Sequence, residues 1–134
     1  MGLEYSKEME IIHATFLDIK NAILMLQEWN AAIESPQEWI SSPLGMQKLA
    51  GNCMLIETIG ESIKKIEKRV GADFLNQRPE IPWRDIMGMR NHIAHGYFDI
   101  NEEYVFSVIK NDLAPLLTAI DFFIEITDED YLTL

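Results

Sequence analysis

Arg90, Asn91, His92, His95 and Tyr97 stand within one short run, Met89-Arg90-Asn91-His92-Ile93-Ala94-His95-Gly96-Tyr97, which holds two of the chain's three histidines. An arginine guanidinium is planar, permanently charged and able to grip two phosphate oxygens at once. Histidine, with an ordinary pKa of about 6.5, can both take and give a proton near neutral pH. Breaking a ribose phosphodiester asks for little more. One group removes the 2′-hydroxyl proton, another protonates the departing 5′-oxygen, and a cation steadies the phosphorane between them. The flanks of the run are apolar, with Ile86, Met87 and Met89 before it and Phe98 and Ile100 after it. That places the polar groups at the edge of a core.

Spacing sets a constraint on this chemistry. Five residues at 100° each separate Arg90 and His95 by about 140° on a regular helix, so the two do not share a face. Either His95 lies on a distorted last turn, or a second copy of the chain completes the site about a twofold axis. The residues alone leave structural readings open as well. Arg90 could pair with Asp85 or Glu61, and His95 could cap the carbonyls at a helix end. His92 and His95 are half of a possible metal site, but no second pair of ligands at suitable spacing follows, and no metal is expected. No phosphate-cradling glycine loop or serine-nucleophile motif is present, and no cofactor is expected.

The elements that must position these residues are helical. Tyr5, Met9, Ile12, Phe16, Ile19, Ile23 and Leu26 recur at spacings of four and three, with Leu17 and Leu24 broadening the stripe. His13 borders it and is expected to make a local hydrogen bond. Ser35 and Pro36 should open a short turn whose Trp39 and Ile40 lid one end of a bundle. A second long helix is expected from about Leu44 to Val70, with Met46, Leu49, Cys53, Ile56, Ile59, Ile63, Ile66 and Val70 on one face. Cys53 within that stripe reads as a small buried hydrophobe. Gly51 and Gly60 weaken the helix, so each should permit a neighbour to come close. Gly71 stops it.

Pro82 then opens the helix that carries the motif, and Gly96 or its surroundings should end it. Asn101-Glu102-Glu103 restarts the chain, and Tyr104, Val105, Val108, Ile109, Leu113, Leu116, Ile120 and Phe123 form the last stripe. Pro115 falls inside it and should kink or divide the helix near Asp112. The tail Thr127-Asp128-Glu129-Asp130 is acidic and should fray. No period-two run of β-branched residues occurs. The expected architecture is an all-α, antiparallel bundle of four to five helices, forming a single domain over residues 1–134.

Composition bounds the function further. A lone cysteine cannot form an internal disulfide, so a reducing cytoplasm is the expected compartment. No apolar run approaches the roughly 20 residues needed to span a bilayer, and no membrane partner or signal peptide is expected. The net charge of −11 weighs against a phosphate binder, yet its distribution is uneven. Lys64, Lys65, Lys68, Arg69, Arg78, Arg84 and Arg90 share residues 64–90 with only four acids, so that segment is +3 and the rest of the chain −14. A local basic patch on an acidic body suits a transient RNA substrate. A solvated face near a helix C-terminus accounts for the lysines equally well.

The longer pattern Ile81-Pro82-Trp83-Arg84, Met89-Arg90-Asn91 and His95-Gly96-Tyr97-Phe98 resembles the central block of the HepT-like group of HEPN proteins, and the likeness covers nearly the whole chain. That group consists of small helical proteins, many of them metal-independent ribonuclease toxins of toxin–antitoxin pairs. The resemblance implies an HEPN-like bundle, Arg90-x4-His95 as the catalytic pair, and Asn91 and His92 as polar supporters. It also implies a homodimer in which two motifs share one cleft. Lys64, Lys65, Lys68 and Arg69 would line the cleft mouth, with Arg84 a further RNA contact. The cognate antitoxin would be a minimal nucleotidyltransferase that adenylylates Tyr97. A second reading stands beside this one: a non-catalytic helical module that binds such a nucleotidyltransferase.

Overall fold

The first helix, α1 (Gly2–Trp29), and the third, α3 (Pro43–Val70), pack antiparallel along their length. A computed structural model describes residues 2–128, with side chains from Ser6 onward. The Tyr5 side chain of the first stripe and Glu129-Asp130 of the acidic tail therefore lie outside the described part. Two side-chain links fix the α1–α3 register. Near one end Arg69 pairs with Glu8 at 3.1 Å, and near the other Asn30 and Asn52 exchange amide hydrogen bonds at 2.9 and 3.0 Å. Both asparagines are buried, and Asn30 also donates to the carbonyl of Leu26, so the polar pair is well satisfied inside the core.

The expected stripes form the interior. Met9, Ile12, Phe16, Ile19, Ile23 and Leu26 of α1 are buried against Leu49, Cys53, Ile56, Ile59, Ile63 and Ile66 of α3. Leu17 and Leu24 do not join them, and both stay about two-fifths exposed because they sit beyond the edge of the stripe. Burial pushes the Cys53 thiol up to about 12, with Glu57 adding to the effect, so it remains a protonated core group.

Short α2 (Gln37–Ile40) covers the end of the bundle, with Trp39 buried and Ile40 exposed. Ser35 does not cap it. The Glu38 carboxylate instead accepts from the backbone N–H groups of Glu34 and Ser35. Ser42 caps α3, accepting from the Gly45 N–H, with Pro43 in the first turn. After Gly71, with φ 90°, a single turn α4 (Ala72–Leu75) brings Phe74 into an aromatic cluster. Phe123 is its hub, stacked on Phe16 at 5.0 Å and Phe74 at 5.4 Å and met edge-on by Trp83 at 5.9 Å.

The last helical stretch comprises α7 (Glu102–Ser107), a π-helical turn (Val108–Asp112) and α8 (Leu113–Thr127). Pro115 accounts for the wide turn. It lacks an N–H, and its ring would collide with the carbonyl four residues earlier, that of Asn111, in a regular helix. The π turn carries the division expected near Asp112. It also aims Lys110 at the carbonyl of Asn30, 2.9 Å away, which caps the end of α1. α8 runs antiparallel to α1, tied by Lys20–Asp121 at 2.8 Å and by His13 to Thr127 at 3.0 Å. The Thr127 hydroxyl donates to the Phe123 carbonyl, so the His13 ring is the donor in this bond. The bond joins the two ends of the chain and is not local.

The motif segment is the remaining member of the bundle. It is made of α5 (Trp83–Met87) and α6 (Arg90–Ile93), both lying against α3. Gly60 of α3 makes this possible, because a Cβ there would stand 2.8 Å from the carbonyl oxygen of Ile86. Gly51 differs, since a Cβ there would only touch the Trp29 ring at 3.6 Å. Gly60→Ala should therefore destabilise the protein by about 1–3 kcal/mol through overpacking, whereas Gly51→Ala should be neutral or stabilising by about 0.5–1 kcal/mol. Urea unfolding of the two variants checks this. Equal effects would remove the special role of Gly60.

Candidate functional site

The motif is not one helix. α5 ends at Gly88, α6 begins at Arg90, and regular helix stops at Ile93. Ala94 turns to extended backbone (φ −162°, ψ 148°) and pairs with Ile100 in an isolated antiparallel bridge. The bridge closes a small loop. The His95 N–H donates to the Asp99 carbonyl at 3.0 Å, the Asp99 N–H to the Gly96 carbonyl at 3.1 Å, and the Asn101 N–H to the Ile93 carbonyl at 2.8 Å. Gly96 sits at φ 146°, a conformation that side-chain-bearing residues rarely adopt. The helix thus ends three residues before Gly96. The reason lies in the backbone: the carbonyl of Ile93 is claimed by Asn101, which commits the chain to the bridge. Asn101 then caps α7, its side chain accepting from the Tyr104 N–H.

This geometry removes the helical offset between Arg90 and His95. Arg90 opens α6, while His95 stands on the closed loop, where helical phase no longer applies. Met89 and Ile93 are buried and anchor the segment, so Arg90, Asn91, His92 and His95 are all left exposed. Arg90 has no carboxylate within ion-pair distance among the described residues. Glu61 instead faces Lys64 at 3.4 Å. The His92 ring lies against Tyr104, centroids 5.4 Å apart, and Tyr97 meets Phe98 edge-on at 5.2 Å. Tyr97 is partly exposed, and Phe98, one of the apolar flanks of the run, is 96% exposed.

The basic candidates divide. Lys64 and Lys68 follow Gly60 at one-turn steps along α3. Lys65, Lys68 and Arg84 are exposed, while Arg69 is turned toward α1 by Glu8 and Lys64 is paired with Glu61. No side-chain contact joins these groups to Arg90 or His95. Arg78 is likewise engaged, by Glu80 at 2.7 Å and over the Phe122 ring.

Beside the motif lies a groove of about 480 Å³ that the residue pattern did not reveal. Its floor is apolar (Ile86, Met89, Leu113, Leu116), and its rim carries His92, Tyr104, Asp85 and Asp112. Burial pushes the Tyr104 phenol up, with Asp112 and Asp85 adding to the shift, and burial likewise raises the Asp112 carboxyl. These carboxylates give the groove the wrong sign for phosphate. Tyr104 lies outside the motif run, and only the fold brings it to His92.

Residues 45–122, which include the whole motif, match the family Ribonuclease HepT-like. Among curated proteins, the chain is 34% identical over 56 residues to a Methanocaldococcus jannaschii protein named as an RNase. That match takes in 42% of this chain and 43% of the relative. It is 36% identical over 61 residues to a Thermococcus cleftensis protein named as a ribonuclease HepT, covering 46% of this chain and 52% of that protein. A Caldanaerobacter subterraneus protein named as an RNase is 31% identical over 61 residues, with 46% and 51% covered. The chain spans about half the length of the curated relatives it matches. No solved structure matches. Among the described residues, no helix is long and apolar enough to cross a membrane.

Proposed function

Because the chain belongs to the Ribonuclease HepT-like family, we propose that it is a metal-independent endoribonuclease, the toxin of a toxin–antitoxin pair. On this reading it acts through Arg90 and His95 in a cleft between two copies of the chain. The observation that carries the reading is the state of Arg90. The chain has 22 acidic residues against 11 Lys and Arg, yet this guanidinium stands exposed with no carboxylate partner among the described residues. Arg84 is open in the same way, but Arg90 is the one that shares a short segment with His95, so its guanidinium is available to a substrate anion there.

The chemistry follows from the residue types. Arg90 binds the scissile phosphate through two of its oxygens. A neutral His95 takes the 2′-hydroxyl proton, the 2′-oxygen bonds to phosphorus, and the bond from phosphorus to the 5′-oxygen breaks. His95 of the second copy gives its proton to that leaving oxygen. The products are a 2′,3′-cyclic phosphate and a free 5′-hydroxyl. Asn91 and His92 support the site, and the exposed Lys65, Lys68 and Arg84 add favourable potential, with Lys64 and Arg69 weakened by their ion pairs. A reducing cytoplasm suits the lone cysteine.

Arg90→Ala and His95→Ala should each lower cleavage of labelled RNA, measured in chelator, by roughly 10²–10⁴-fold, with helix content and melting nearly unchanged. The same samples should scatter light as a dimer, twice the 15.5 kDa chain, at micromolar concentration. Cleavage at the parental rate by either variant refutes that residue's role, and a monomer refutes the shared cleft. A parental protein that cuts nothing favours the non-catalytic module.

Regulation centres on Tyr97. Its phenol is partly exposed two residues from His95. A nucleotidyltransferase antitoxin would join the Tyr97 oxygen to the α-phosphorus of ATP and release pyrophosphate. The attached AMP would set a phosphate where the substrate backbone enters. Tyr97→Phe should retain most ribonuclease activity and gain no AMP mass with the antitoxin and ATP. AMP mapped to Tyr104 instead would contradict this assignment.

A further inference from the structure

Phe98 is the most exposed large apolar side chain described, at 96%, and it stands on the same closed loop as His95. A lone exposed apolar residue is ordinary on a protein surface. The way this one is held is not. Bridge pairing of Ala94 with Ile100 and the two backbone hydrogen bonds between residues 95–99 pin the loop on both sides of it. Tyr97 meets the ring at 87° and 5.2 Å, an edge-to-face contact that leaves a ring face open to solvent. The loop's backbone is therefore held in place, and from it the ring presents an apolar face to solvent.

Its position indicates the occupant. Arg90 offers an anion site and His95 a proton-transfer group on the same short segment, while the neighbouring groove, rimmed by Asp85 and Asp112, repels a phosphate backbone. A strand of RNA held by its phosphate at Arg90 must put the adjoining bases somewhere outside that groove. Unstacked bases prefer aromatic faces, and every base has one. We propose that Phe98, braced by Tyr97, is a stacking platform for an unpaired base next to the scissile phosphate, so that the substrate is single-stranded RNA. This rests on the ribonuclease reading above for the position of the phosphate. Stacking is tolerant of base identity, so the platform selects for strandedness and not for a particular base.

The near-complete exposure of Phe98 makes the test clean, because truncation removes no core contact. In a His95→Ala background, which prevents cleavage, a short single-stranded oligoribonucleotide containing 2-aminopurine should bind with quenched fluorescence. Adding Phe98→Ala should weaken binding on the order of ten- to a hundredfold and abolish the quench, while Phe98→Trp restores both. A fully paired duplex of the same sequence should bind alike with or without Phe98. Unchanged binding and quenching in Phe98→Ala overturns the platform. So does a Phe98→Ala protein that scatters as a monomer where the parent is a dimer, which would make the ring a contact between copies. If the parental protein binds with a Phe98-dependent quench yet never cuts RNA, the platform stands and the catalytic reading falls. If it cuts single and double strands equally, the reverse holds.

Discussion

The contact between Gly60 and the carbonyl of Ile86 fixes the rest of the functional face. It lets α5 lie flush on α3, which buries Trp83, Ile86 and Met87, and the next anchors, Met89 and Ile93, follow onto the same core. With the apolar side chains of residues 83–93 turned inward, Arg84, Arg90 and Asn91 face solvent, and His92 turns its ring to Tyr104 at the groove's edge. The segment is too short and too interrupted to be stable alone. Its order is borrowed from α3 and from the Phe123 cluster that holds Trp83, and the Trp83 indole secures it by donating to the carbonyl of Arg78.

Much of this was legible in the residue pattern. The stripes of α1 and α3 repeat at helical spacing over many turns, so their buried faces could be read directly, as could the Gly71 stop. Pro115 announced a disturbance near Asp112, though its form, a π turn that also aims Lys110 at the end of α1, depends on tertiary fit. The Asn30–Asn52 pair left no signal, because two polar residues 22 apart look like surface positions until the antiparallel pairing brings them together. Leu17 and Leu24 misled for the opposite reason: apolar type suggests burial, but their angular position on α1 denies it.

Within the site, residue types were readable and backbone was not. The motif run fits a helix through His95, on which Arg90 and His95 would stand about 140° apart. The bridge between Ala94 and Ile100 ends it early, and no local propensity marks the event, since the decisive hydrogen bond comes from Asn101. The consequence is chemical. Arg90 stays on a helical turn while His95 moves to a pinned loop beside an outward phenylalanine. The sharp charge division of the sequence also softens in three dimensions, because Glu8, Glu61 and Glu80 cover Arg69, Lys64 and Arg78. Of that basic segment, Arg90, Lys65, Lys68 and Arg84 stand exposed outside these ion pairs.

The central claim is that this surface cleaves RNA by using the substrate's own 2′-hydroxyl, with Arg90 on the phosphate and His95 moving the proton. The most direct measurement takes the preferred cleavage position in a single-stranded RNA and replaces that one ribose with 2′-deoxyribose, in the presence of chelator. The account predicts that the all-ribose strand is cut to a 2′,3′-cyclic phosphate, identified by mass, and that the substituted strand binds equally well but is not cut at that position. Cleavage of the substituted strand at the same position and rate would contradict it.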